Sequence, residues 1–347
     1  MKIGLDRLPR SRYILRVLKA FATLRTELRQ GAGGIVLSTE TAGEQTGVQT
    51  DFAPDDRYFS RLRRSFGSSS VALGFGPLEM SLDGLSERQA DDLARRFRPF
   101  VVETAARPDV HIVLYPAGVD RFLNTRRDGS DETYRLETRR TGESLALWAY
   151  EFAGRLDPSE GRAILALVEE RGAQFDRGLE NFLRVVTAFY ILERGGLLLH
   201  ASGVVRDGAA HLFFGPSGRG KTTVTHLSPE DVVLSDDLSL IVRNGGGFEA
   251  AGIPFGMAHH RVPDSRDSFP IASLNSLVQS LEVKREPLTG ARALAEVSAS
   301  LPFVMQETRQ SGRALEVIDR LLATVPAYRL WFRKDPSFWT VIEGTAR

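Results

Sequence analysis

The chain has 347 residues, enough for about two domains of ~150 residues each, and its 42% hydrophobic and 26% charged content suits a protein with a real core. A formal net charge of +1 provides no global field for nucleic acid or an anionic membrane. The absence of cysteine excludes disulfides, thiolate metal sites and a cysteine nucleophile and fits a reducing cytoplasm, and no apolar run approaches the ~18 residues of a membrane span.

Near the start, Ile14, Val17, Leu18, Phe21, Leu24 and Leu28 recur at helical spacing, with Arg16, Lys19 and Arg25 between them. The pattern predicts an amphipathic helix with a basic outer face rather than a secretion signal. Its simplest role is to dock on its own domain; gripping an acidic peptide or a membrane surface is the alternative. Gly31 to Gly34 and the polar stretch from Ser38 to Asp51 read as loop or linker. Residues 71–82 look extended. Ser86 to Phe97 reads as a helix with Ser86 as its N-cap. Val110 to Tyr115 reads as a strand, and the broken alternation through Tyr134, Leu136, Leu145 and Leu147 predicts antiparallel strands over 131–152. Residues 1–170 therefore read as an α+β domain in which no chemistry is visible.

Residues 171–347 form the second expected domain. Leu179 to Leu192 carries apolar residues at helical spacing and stops at Gly195-Gly196. Leu197 to Val205 reads as one buried strand, Asp207-Gly208 as a tight hairpin turn, and Ala209 to Phe214 as the partner strand. A glycine loop follows at once, then a short helix from Lys221, a break at Ser228-Pro229 and the strand Val232-Val233-Leu234. Leu238 to Arg243 with Asn244 to Gly247 suggests a further hairpin.

Gly215-Pro216-Ser217-Gly218-Arg219-Gly220-Lys221-Thr222 fits G-x-x-x-x-G-K-[ST] at every fixed position, between a strand and a helix. The glycines let successive backbone N–H groups turn inward around phosphate oxygens. Lys221 would place its charge on the terminal phosphates and the Thr222 hydroxyl would ligate Mg²⁺, with Thr223 closing the nucleotide-contacting run. The lysine stands out in a chain with five lysines against 40 arginines. Asp236 and Asp237 end the next strand. One carboxylate there can hold Mg²⁺ and the other can take the proton of an attacking hydroxyl, in either assignment; turn aspartates are the plainer alternative.

His200, inside a buried strand, reads on its own as a hydrogen-bonded core residue. His259, His260 and Arg261 follow in a loop and read equally as contacts to phosphate or substrate or as solvated side chains. The histidines lack zinc-like spacing, so no transition metal is expected. Ser217 is not a hydrolase nucleophile, because Arg219 occupies the second glycine position of the nucleophile elbow.

Taken in order, the His-containing strand, the hairpin, the glycine loop and the strand ending in Asp-Asp resemble the HPr serine kinase/phosphorylase family and its HPr-kinase-related relatives. More remotely they resemble ATP-dependent phosphoenolpyruvate carboxykinases. The likeness covers roughly residues 180–256; Pro270 to Leu274 and Val325 to Phe332 look like the tail of the related group. The resemblance implies a phosphate-loop domain with a mixed β-sheet, ATP and Mg²⁺ as cofactors, His200 close to the γ-phosphate, and a tendency to self-associate. It also implies phosphorylation of a serine hydroxyl on a protein or peptide; the charge balance, the lack of cysteine and the lack of a long apolar run separately predict a cytoplasmic location without nucleic acid or integral membrane association. Ala251 to Gly256 departs from the family's glycine- and isoleucine-rich signature, so neither HPr as substrate nor the reverse phosphorylase reaction carries over. Relatives with such departures resemble accessory kinases acting on peptides of biosynthetic clusters. Two other readings stand beside the kinase: a non-catalytic ATP-binding switch, and a kinase or carboxykinase for a small metabolite.

Overall fold

The computed structural model describes residues 53–103, 107–120, 122–123, 136–255 and 266–344. The N-terminal amphipathic series, the glycine and polar stretch after it, Tyr134, and His259, His260 and Arg261 lie outside the described residues.

Helix α1 (Asp56–Arg61) opens on Asp55, whose carboxylate accepts the Tyr58 N–H at 2.9 Å. The extended segment of residues 71–82 is two strands, β1 (Ser69–Phe75) and β2 (Leu78–Leu85), which turn at Gly76-Pro77. Helix α2 (Glu87–Arg96) begins where the sequence predicts. The Ser86 hydroxyl accepts the Gln89 N–H while the Gln89 side chain accepts the Ser86 N–H, so two donors of the first turn are met reciprocally. Strands β3 (Val110–Pro116), β4 (Glu137–Thr141), β5 (Ser144–Trp148), β6 (Phe152–Asp157) and β7 (Arg162–Leu167) complete a mixed sheet in the order β1-β2-β3-β7-β6-β5-β4. The pairs β2/β3 and β3/β7 are parallel and the others antiparallel.

Helix α3 (Ala173–Glu193) starts at Ala173 rather than Leu179, because its first turn (Gln174, Asp176, Arg177) is polar and leaves no apolar period to read. Its buried face includes Phe182, Leu183, Val186 and Phe189. Each such side chain contributes about 1.5–3 kcal/mol of transfer free energy before ordering costs. In the chain α3 separates the strands of the two sheets, and the largest buried apolar cluster among the described residues extends over both.

The second sheet contains β8 (Leu197–Leu199), β9 (Ala201–Arg206), β10 (Ala209–Phe214), β11 (Val232–Ser235), β12 (Ser239–Asn244), β13 (Gly247–Ala251), β14 (Ser268–Gln279), β15 (Lys284–Pro287) and β16 (Ala327–Phe332). Its main order is β11-β9-β10-β14-β13-β12-β8, with β16 beside β14 and β15 beside β16. Helix α4 (Lys221–His226) lies between β10 and β11, α5 (Gly290–Ser298) and α6 (Thr308–Thr324) between β15 and β16, and α7 (Phe338–Glu343) follows β16. The fold is mixed α/β with mixed sheets. Among the described residues no helix is long and apolar enough to cross a membrane.

Two local readings meet different outcomes. Asp207 and Gly208 both take positive φ, 51° and 75°, the backbone a two-residue hairpin turn requires. The single strand expected over Leu197 to Val205 is instead broken at His200. Segment β8 pairs with β12, whereas β9 pairs with β10 and β11, and at the break the His200 N–H donates to the Ser300 carbonyl at 2.8 Å. A change of strand partners leaves no mark on hydrophobicity, since both pieces are buried.

Strand β9 runs antiparallel to both its neighbours, so β10 and β11 point the same way. Phe214, the last residue of β10, faces Ala201 at the start of β9, and Ser235, the last of β11, faces Gly203. Strand β14 is parallel to β10 and β16 parallel to β14. One sheet edge therefore gathers the glycine loop, the Asp pair, His200, and the ends of β14 and β16.

Candidate functional site

Gly215, Gly218 and Gly220 take φ of 143°, 76° and 105°, a backbone that residues with a Cβ rarely adopt. Gly220 is also fixed by space, because a Cβ there would lie 2.5 Å from Cζ of Phe332. The loop is tied back by Arg219 N–H to the Pro216 carbonyl at 3.3 Å and by the Gln279 amide to the Gly218 carbonyl at 2.7 Å. Ser217 and Thr222 are exposed, Thr223 half-buried.

Lys221 is only 8% exposed. Its Nζ donates to the Gly215 carbonyl at 2.9 Å and reaches the Pro216 carbonyl at 3.4 Å, and among the described residues no carboxylate comes within 4.0 Å of it. Burial pushes the ammonium below the ordinary lysine range, and the charge of Asp237 offsets part of that. An ammonium taken out of water, hydrogen-bonded only to carbonyls and with Asp237 acting from beyond 4.0 Å, is expensive and would be stabilised by added negative charge.

Across from the loop, the Ser235 hydroxyl accepts the N–H groups of Asp237 (3.2 Å) and Leu238 (2.9 Å), which shapes the turn after β11. Asp236 is 6% exposed. Asp237 faces outward more: its Oδ1 lies 2.9 Å from Nε2 of His200, and its Oδ2 lies 3.9 Å from Nη2 of Arg184. Burial alone would raise the Asp237 carboxyl. The His200 hydrogen bond and charge, then Arg184 and Lys221, outweigh burial and hold it below the usual carboxylate range.

The structure thus brings Gly215 to Thr222, Asp236, Asp237 and His200 to one edge. Among the described residues no group of three or more His, Asp or Glu side chains is clustered for a metal. Thr222 and the Asp pair offer hard oxygen donors, the type Mg²⁺ takes with few protein ligands.

Several members of the site left no sequence signal. Arg184 reads as one more charge on a helix face, and Gln279 and Phe332 as ordinary strand ends. Helix α7 also takes part: Val224 of α4 packs in one cluster with Phe332, Phe338 and Trp339, and the Trp339 indole N–H donates to the Ser228 hydroxyl at 3.0 Å.

No curated protein matches the chain. A family model does, that of "SynChlorMet cassette protein ScmC", over residues 179–346. This corrects the resemblance drawn from sequence: the match is not to HPr kinase/phosphorylase or to a phosphoenolpyruvate carboxykinase. The earlier likeness rested on the order of a few short motifs, whereas the match runs continuously from residue 179 to residue 346. From residue 179 to residue 346 the chain is similar to ScmC, the SynChlorMet cassette protein.

Proposed function

We propose that the chain binds ATP with Mg²⁺ and transfers the terminal phosphoryl group to a side-chain hydroxyl of a protein or peptide. On this reading residues 171–347 are a phosphate-loop nucleotide-binding domain built on a mixed sheet. The observation that carries it is Lys221: a buried ammonium with no carboxylate partner among the described residues, enclosed by a loop whose glycines hold positive φ.

The residues fit the group. Main-chain N–H groups of Gly215 to Thr222 would bind the phosphates, and Lys221 would leave its carbonyl partners for their oxygens. Thr222 and Asp236 would hold the metal, which when bound offsets charge on the phosphates. Asp237, ionised at neutral pH and the more exposed of the pair, would accept the hydroxyl proton, with His200 fixing one of its oxygens. The matched family is described as a cassette protein, which directs the search for the acceptor to products encoded beside this chain.

Calorimetry with Mg·ATP, followed by transfer of labelled phosphate to those co-encoded products, tests the proposal. A folded protein that evolves no heat with ATP or ADP would end it. Binding without transfer to any acceptor would leave a nucleotide-dependent switch.

A further inference from the structure

Asp237 is gripped from two sides, and the second grip comes from helix α3. Arg184 Nη2 stands 3.9 Å from Asp237 Oδ2 and 2.6 Å from Oε1 of Glu180, one helical turn back. Glu180 Oε2 in turn pairs with Arg96 at the end of α2, and Arg96 also reaches Asp176 at 3.1 Å. Arg184 Nη1 reaches the Asn181 side chain at 3.4 Å, and its guanidinium carbon lies 5.9 Å from the ring of Phe255, which packs edge-on against Phe75. A row of alternating charge therefore runs from the first sheet's helix to the reacting edge of the second sheet.

This arrangement is a poor way to gain stability. Arg184 side-chain exposure is 20% and that of Glu180 17%, and Nε of Arg184 is buried with no hydrogen-bond partner among the described residues. A half-desolvated guanidinium with an unmet donor costs free energy that an apolar residue on the same helix face would not. What the guanidinium does supply is direction. With His200 on Oδ1 and Arg184 on the side of Oδ2, the carboxylate is held against rotation.

We propose that Arg184 is a positioning residue for Asp237, and that Glu180 and Arg96 set its guanidinium in place. The proposal rests on the phosphotransfer reading above and assigns a new part of that site.

Hydrolysis of Mg·ATP by the full chain is measured for the parent, Arg184→Gln, Arg184→Lys, Glu180→Gln and the Asp237→Asn versions of each, with ATP affinity by calorimetry. Arg184→Gln should lower kcat between about tenfold and a hundredfold, the cost of a carboxylate misplaced by about 1 Å. KM and Kd for ATP should stay within about twofold, Arg184→Lys should recover part of the loss, and Arg184→Gln should add nothing in the Asp237→Asn background. Equal kcat in parent and Arg184→Gln, or an equal loss in both backgrounds, overturns the proposal. Where Arg184→Gln does not fold, Arg184→Lys and Glu180→Gln carry the same comparison. Crystal structures of the same variants decide the placement without turnover: Asp237 should leave hydrogen-bond distance of His200 in Arg184→Gln, and an unmoved carboxylate overturns the idea. A parent that binds no ATP sinks instead the reading beneath it.

Discussion

His200 Nε2 stands 2.9 Å from Oδ1 of Asp237, joining the break before β9 to the turn after β11. The contact exists because β9 is antiparallel to β11, which sets the start of one strand beside the end of the other. His200 thereby changes from the core histidine that its sequence surroundings suggest into a partner of the site's more exposed carboxylate.

Asp237→Asn should abolish most phosphoryl transfer, by a hundredfold or more if the group is the general base, since such groups contribute about 10²–10⁴-fold. Affinity for metal-free ATP should hardly change. Labelled-phosphate transfer and calorimetry on the same preparation separate the two effects, and parallel losses in both would remove Asp237 from the proton-accepting role.

Lys221→Met should lose Mg·ATP binding and lower transfer about a hundredfold or more, the loss of roughly 3 kcal/mol from one preorganised donor. The free protein should melt at the same temperature or higher, because the substitution removes a buried charge with no carboxylate within 4.0 Å among the described residues. A marked fall in Tm would mean that the ammonium is a structural strut.

Gly220→Ala should destabilise the chain by about 2–4 kcal/mol, combining a φ of 105° with a Cβ 2.5 Å from the Phe332 ring. Adding Phe332→Leu should relieve the clash but not the backbone strain. Denaturant unfolding of the single and double variants checks this, and full recovery in the double variant would leave no cost to the backbone angle.

His211 sits under α7, its Nδ1 2.9 Å from the Ser273 hydroxyl and its ring 5.4 Å from that of Trp339. Burial, then the charges of Arg285 and Arg206, lower it to about 4 from an ordinary 6.5. The unfolded chain therefore takes up the proton first. The contribution of neutral His211 is complete above pH 6.5 and drains away between 6.5 and 4, by up to about 3 kcal/mol. Unfolding free energies across that window should fall in the parent and flatten in His211→Gln; the same slope in both would place the titration elsewhere.

Much of the second half was legible because its signals are local. The glycine loop, the Asp207-Gly208 turn and the strand of Ala209 to Phe214, like the N-cap at Ser86 in the first half, each depend on residues within one turn of chain, where backbone preference and short hydrogen bonds decide the outcome. The family resemblance was not legible in the same way: a few short motifs in order suggested one family, and the match over residues 179–346 belongs to another.

By itself the sequence determined the strand–loop–helix around Lys221, the acidic end of β11, the mixed α and β character, and the absence of thiol chemistry. Only the tertiary structure decided that His200 breaks its strand and meets Asp237, that Arg184 reaches the same carboxylate from α3, and that Phe332 leaves room at position 220 for a glycine alone. The reason is strand order. Which segments share a sheet edge depends on pairing between distant parts of the chain, and pairing is selected by the packing of the whole core rather than by any short run of residues.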